Sequence, residues 1–80
     1  MDLKEAVVRR ILELCERKNI RINTLANISG VTPSTAYSMV DPNRHDVSIR
    51  TIKKFCDGLE ITLSEFFSTD YFDNLEQEIK

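Results

Sequence analysis

Residues 23–41 read N-T-L-A-N-I-S-G-V-T-P-S-T-A-Y-S-M-V-D, the pattern of two short helices meeting at a sharp angle. Asn23 is placed to cap the first, with Leu25, Ala26 and Ile28 as its apolar contacts. Gly30 ends it, because glycine enters the left-handed region without a Cβ penalty. Val31 then turns back toward the core. Thr32 caps a second helix, and Pro33 takes the first helical position, where a missing N–H costs nothing. Ala36, Met39 and Val40 recur at helical spacing as a buried stripe, which leaves Pro33, Ser34, Tyr37 and Ser38 on the outer face. The small Ala26 lets the second helix cross close to the first. The unit is a helix-turn-helix.

Working outward, Asp2-Leu-Lys-Glu5 is a capping box that opens a first helix over about residues 3–18. Leu3, Ala6, Val7, Ile11, Leu14 and Cys15 form its expected apolar stripe. Arg9, Arg10, Glu13, Glu16 and Arg17 are expected outside, with Glu13 and Arg17 a favourable pair. After the second motif helix, Pro42 forces Asp41 out of helical dihedrals and stops that helix. Ser48 is the predicted N-cap of a fourth helix over residues 49–59, with Ile49, Ile52, Phe55 or Cys56, and Leu59 facing the core. Thr62-Leu-Ser-Glu65 is another capping box, opening a short fifth helix with Leu63, Phe66 and Phe67 inward.

The motif at residues 23–41 resembles the helix-turn-helix of the Cro and phage-repressor-like (XRE) family of DNA-binding regulators. Residues 48–67, S-I-R-T-I-K-K-F-C-D-G-L-E-I-T-L-S-E-F-F, resemble the fourth and fifth helices of the same family. The resemblance covers roughly residues 3–67. It implies an all-α, compact five-helix lambda-repressor-like domain. Three departures stand out: Asp41-Pro42 replaces the family's usual Asn-Gly, Val47 replaces a usual proline, and Glu60 stands where a glycine is usual, which predicts a strained C-cap.

The tail adds to that minimal domain. Phe72, Leu75 and Ile79 recur at helical spacing and Asp73-Asn-Leu-Glu76 is a further capping box, so the pattern fits a short sixth helix. A helix this short needs a packing partner, either its own domain or a second subunit. The expected division is a DNA-binding domain over residues 1–68 and an acidic amphipathic tail over residues 69–80 that dimerises the protein. Phe67, Tyr71, Phe72, Leu75 and Ile79 are the dimerisation candidates.

The net charge of −2 conceals an asymmetry. Residues 1–56 carry ten Lys/Arg against six Asp/Glu, or +4; residues 57–80 carry one against seven, or −6. One end of the molecule is suited to meet an anion. Absence of a long apolar run and of a signal-peptide pattern makes a soluble, cytoplasmic protein the expectation. Cys15 and Cys56 read as buried reduced thiols. With His45 the sole histidine and no C-x-x-C, no metal site is expected. Neither a phosphate-cradling glycine loop nor a nucleophile–base pair is present, so no catalytic residue, cofactor or small-molecule substrate is expected.

By the family resemblance, Pro33, Ser34, Tyr37 and Ser38 face the bases of double-stranded DNA. The serines discriminate weakly, while Pro33 and the Tyr37 ring suit thymine methyl groups. Phosphate candidates are Arg21, Asn23, Thr24, Thr32, Thr35, Arg44, Ser48, Arg50 and Lys53. The expected function is a dimeric transcriptional regulator, most simply a repressor. The competing reading is a protein-interaction or antitoxin-type module that uses the same fold with weak DNA affinity. It draws on the acidic residues Asp41 and Asp46 of the loop and on the missing Gln, Asn and Arg base readers.

Overall fold

Asp2 opens the first helix as the sequence predicts, accepting a hydrogen bond from the Glu5 amide while the Glu5 carboxylate accepts one from the Asp2 amide. The computed structural model describes residues 1–79; Lys80, the last residue of the expected acidic tail, lies outside them. Among the described residues there are six helices and no strand: α1 (Leu3–Lys18), α2 (Ile22–Ser29), α3 (Pro33–Val40), α4 (Ile49–Leu59), α5 (Leu63–Phe67) and α6 (Asp70–Asp73). None of them is long and apolar enough to cross a membrane.

α2 packs against both α3 and α4, α1 lies across α3 and reaches α6, and α5 leans on α4. Val7, Ile11, Leu25, Ile52, Phe55, Cys56 and Phe66 are the largest side chains withdrawn from water. Each large apolar one contributes about 1.5–3 kcal/mol relative to exposure. Cys15 and Cys56 are buried free thiols, and burial pushes both pKa values up, keeping them protonated and unreactive.

Three helices end in the same way. Asn19, Gly30 and Glu60 all adopt left-handed dihedrals, and the next residue's N–H reaches back to the Cys15, Ala26 and Cys56 carbonyls respectively. Ile20, Val31 and Ile61 follow these turns, and all three pack on the core. Gly30 is chosen for its φ of 66°, since nothing stands within 4 Å of a Cβ there. Glu60 takes φ 59° with a side chain, which carries the strain that its sequence position predicts.

Several expectations change. α2 starts at Ile22 with Arg21 in the N-cap position, so Asn23 lies inside the helix and caps nothing. Leu3 is exposed because Lys4 takes the inward position in the first turn of α1. Ile28 and Ile49 are also exposed; Thr51 and Ile52 hold the core side of α4 at its start. Arg10, expected outside, is buried, and Glu13 pairs with Arg9 and Arg10 in place of Arg17. The sixth helix comes earlier than predicted, and the Asp73–Glu76 box does not form. Glu76 turns to the chain's beginning instead, with its amide donating to the Met1 carbonyl at 3.4 Å and its carboxylate 3.8 Å from the Met1 amino group.

Gly58 sits where α4 meets the end of α2. A Cβ on it would overlap Ser29 Oγ and stand 3.1 Å from the Ile28 carbonyl oxygen. Gly58→Ala gains about 1 kcal/mol of helix propensity but overpacks a backbone contact, at about 1–3 kcal/mol. A net loss of stability is therefore expected in urea denaturation. Ser29→Ala in the same chain should recover part of it, because Ser29 Oγ is buried and makes no hydrogen bond among the described residues.

Candidate nucleic-acid interface

α2, the Gly30 turn and α3 place the N-terminus of α3 at the surface. Thr32 Oγ1 accepts the Thr35 amide at 3.2 Å and meets Thr35 Oγ1 at 3.0 Å, so the side-chain cap predicted there is present. Ala36 and Met39 are buried beneath, with Val40 half-buried. Pro33, Ser34, Thr35 and Tyr37 are exposed, Tyr37 to 52%, and Ser38 is half-buried. The four residues expected to face bases thus share one face.

The other phosphate candidates lie on α2, the loop and α4. Arg21, Asn23 and Thr24 are exposed in and before the first turn of α2. Ser48, which caps α4 by accepting the Thr51 amide, and Arg50 are exposed at the start of α4. Arg21 and Arg50 form no ion pair among the described residues, whereas Arg44 lies 3.8 Å from Asp41 and Lys53 is bonded to Asp57. Exposed pairs of this kind are weak and exchange readily for a stronger anion.

The loop acids build the loop. Asp41 Oδ1 accepts the Asn43 amide at 2.9 Å, and its carbonyl accepts the Arg44 amide at 3.1 Å. Behind the loop stands Lys4, 5% exposed, whose ammonium donates to the Ser38 carbonyl at 3.1 Å and the Asp46 carbonyl at 3.2 Å. Burial lowers its pKa, against the attraction of Asp41 and Asp46, while Arg44 adds to the lowering. Sequence reasoning missed Lys4. The available signal was its spacing from Val7 and Ile11, which puts it on the apolar stripe.

Arg10 was missed for the same reason, lying between Val7 and Leu14 on that stripe. Arg10 is 5% exposed, and its guanidinium donates from Nε to the Phe66 carbonyl and from Nη2 to the Glu65 carbonyl, both at 2.7 Å. It ties α1 to the end of α5. Beside it, Glu13 Oε1 accepts the Tyr71 hydroxyl at 2.6 Å, and the Arg9 guanidinium lies 4.6 Å from the Tyr71 ring centroid. Phe72 joins Phe66 and Phe67 in an aromatic cluster. Of the dimerisation candidates, Phe67, Tyr71 and Phe72 are therefore engaged within their own domain. Leu75 is half-buried, and Ile79 is 87% exposed.

Residues 10–70 match the family model of the Cro/C1-type helix-turn-helix DNA-binding domain. Among solved structures, the chain is similar to the crystal structure of the prophage Lp1 protein 11, with a TM-score of 0.82 and 30% sequence identity. That likeness covers 91% of this chain and 97% of the other. No curated protein sequence matches the chain.

The hydrogen bond from Tyr71, and after it Arg10 and Arg9, holds the Glu13 carboxyl below its ordinary range. A carboxylate so depressed stabilises the fold fully above its unfolded pKa of about 4.3, and the contribution is lost as pH falls through the folded value. Tyr71→Phe should therefore be less stable than the parent chain at neutral pH. The difference should shrink as the pH drops below about 4, as followed by urea denaturation at each pH.

Proposed function

The chain belongs to the Cro/C1-type helix-turn-helix DNA-binding family, and from that premise we propose that it is a sequence-specific transcriptional regulator acting as a repressor. α3 enters the major groove, and Pro33, Ser34, Tyr37 and Ser38 meet base edges. The observation that carries the reading is the outer face of α3, where Pro33, Ser34 and Tyr37 are exposed above the buried Ala36 and Met39. Hydroxyls and a tyrosine ring give modest direct readout, so DNA shape and half-site spacing supply the remaining specificity. The action is binding alone, with no catalytic residue and no cofactor.

Arg21, Asn23 and Thr24 at the start of α2, Thr32 and Thr35 at α3, and Arg44, Ser48, Arg50 and Lys53 around the loop and α4 hold the phosphate backbone. Two copies bind as a homodimer on an inverted repeat, with residues 1–68 on DNA and the tail from residue 69 joining the copies. Because Tyr71 and Phe72 already pack within the domain, Leu75 and Ile79 are the tail's contribution to the partner. The similar structure is that of a prophage protein, which supports a phage or mobile-element setting for this one.

A second reading rests on the pairing of Arg44 with Asp41 and of Lys53 with Asp57. These pairs reduce the free positive charge near α3 and suit a protein partner over a phosphate backbone.

Selection from a randomised duplex pool at physiological salt separates the two. The regulator reading expects enrichment of an inverted repeat, abolished by Tyr37→Ala combined with Ser34→Ala. With about four to six phosphates neutralised per dimer, log K should fall with log salt with a slope near −4 to −5. A folded protein that enriches no duplex would transfer the weight to the interaction reading.

A further inference from the structure

α3 is eight residues long and commits only Ala36 and Met39 fully to the core. These two side chains, with the half-buried Val40 beside them, seat the helix along its inner face, while the carbonyls of its last turn still need donors. Hydrogen bonds to base edges weaken steeply with angle and distance, so a rocking recognition helix reads poorly. Something must clamp its far end.

Lys4 is placed to do so. Its ammonium crosses from the first turn of α1 to the Ser38 carbonyl in the last turn of α3, and in the same stroke to the Asp46 carbonyl in the loop before α4. The last carbonyls of a helix lack intrahelical donors and carry the negative end of its dipole, where a cation is favoured. Ser38 otherwise receives only the Asp41 amide, at 3.3 Å. A buried ammonium is costly unless its donors are satisfied; these two carbonyls take two of its three N–H donors, and Asp41 and Asp46 nearby add favourable charge. Lys4 lies 34 residues from Ser38 and 42 from Asp46 in the chain, so the tie is purely tertiary.

We infer that Lys4 is a positioning residue for DNA recognition: it locks the C-terminal end of α3 to the 41–48 loop, so that base-facing side chains and loop contacts reach the duplex as one rigid unit. The inference rests on the DNA-binding reading of α3. At 5% exposure Lys4 is shielded from phosphates itself and acts through α3 and the loop.

Lys4→Met keeps the apolar stem and removes the donors. On the selected duplex its affinity should fall about tenfold and its preference over a scrambled duplex should narrow, while the salt slope stays that of the parent; a lost phosphate contact would lower that slope by about one. Lys4→Met combined with Tyr37→Ala should weaken binding by less than the product of the two single effects, because a loosened α3 has less readout to lose. Amide hydrogen exchange of the free proteins should quicken at residues 38–48 and leave the α1, α2 and α4 core amides unchanged. Where Lys4→Met proves too unstable to handle, Lys4→Gln, shorter but still an N–H donor, should show the same pattern in milder form.

Unchanged exchange at residues 38–48, a changed salt slope, or strictly multiplicative effects with Tyr37→Ala would each overturn the inference. A parent chain that selects no duplex overturns the DNA-binding reading and the recognition role of Lys4 with it. The exchange experiment, which needs no DNA, would then report on the tie between α1, α3 and the loop alone.

Discussion

Short helices leave a large share of their backbone groups without partners, and this fold is organised around supplying them. The last turn of carbonyls in any helix has no intrahelical donor. In α2 and α3, of eight residues, and α5, of five, that last turn is much of the helix. Three helix ends are closed by the chain itself, through left-handed residues at Asn19, Gly30 and Glu60 that bend the next amide back. Two are closed from outside, by cations of α1: Lys4 at the end of α3 and Arg10 at the end of α5. α1 is thus both the longest helix and the source of two buried donors that replace water.

That arrangement explains how a small core carries an interface. Apolar contacts through Ala36, Met39 and the half-buried Val40 seat α3, and the directed bonds of Lys4 join its last turn to the loop. Of the loop's acids, which in sequence oppose a phosphate backbone, Asp41 serves the loop's geometry, its carboxylate taking the Asn43 amide, while Asp46 contributes its backbone carbonyl to Lys4. At the opposite end, Arg10, Glu13 and Tyr71 fasten the tail to α1, and the aromatic cluster of Phe66, Phe67 and Phe72 seals it. The tail's aromatic residues serve their own domain first.

Much of this was legible before any coordinates. Capping boxes at Asp2 and Thr62, hydroxyl caps at Thr32 and Ser48, and the glycine turn at Gly30 are local devices whose partners lie within a few residues, and all five appear where the sequence puts them. The reading failed where a local signal competed with a distant partner. Asp73-Asn-Leu-Glu76 has the letters of a capping box, yet Glu76 is drawn to Met1 and the helix forms earlier, over Asp70–Asp73. Leu3, Ile28 and Ile49 obey the periodicity and are nonetheless exposed. Gly58 reads as an ordinary helical residue until the Ile28 backbone is seen against it.

The sequence by itself determined α1, α3, α4 and α5, the Gly30 turn and the exposed face of α3, because helical periodicity and end-capping depend on neighbours a turn away. Spacing puts Lys4 and Arg10 on the apolar stripe of α1, but tertiary structure decided that they are interior. Charge argues for the surface in any reading of a single helix, and only carbonyls contributed by α3, the loop and α5 reverse that argument by replacing the water these cations lose.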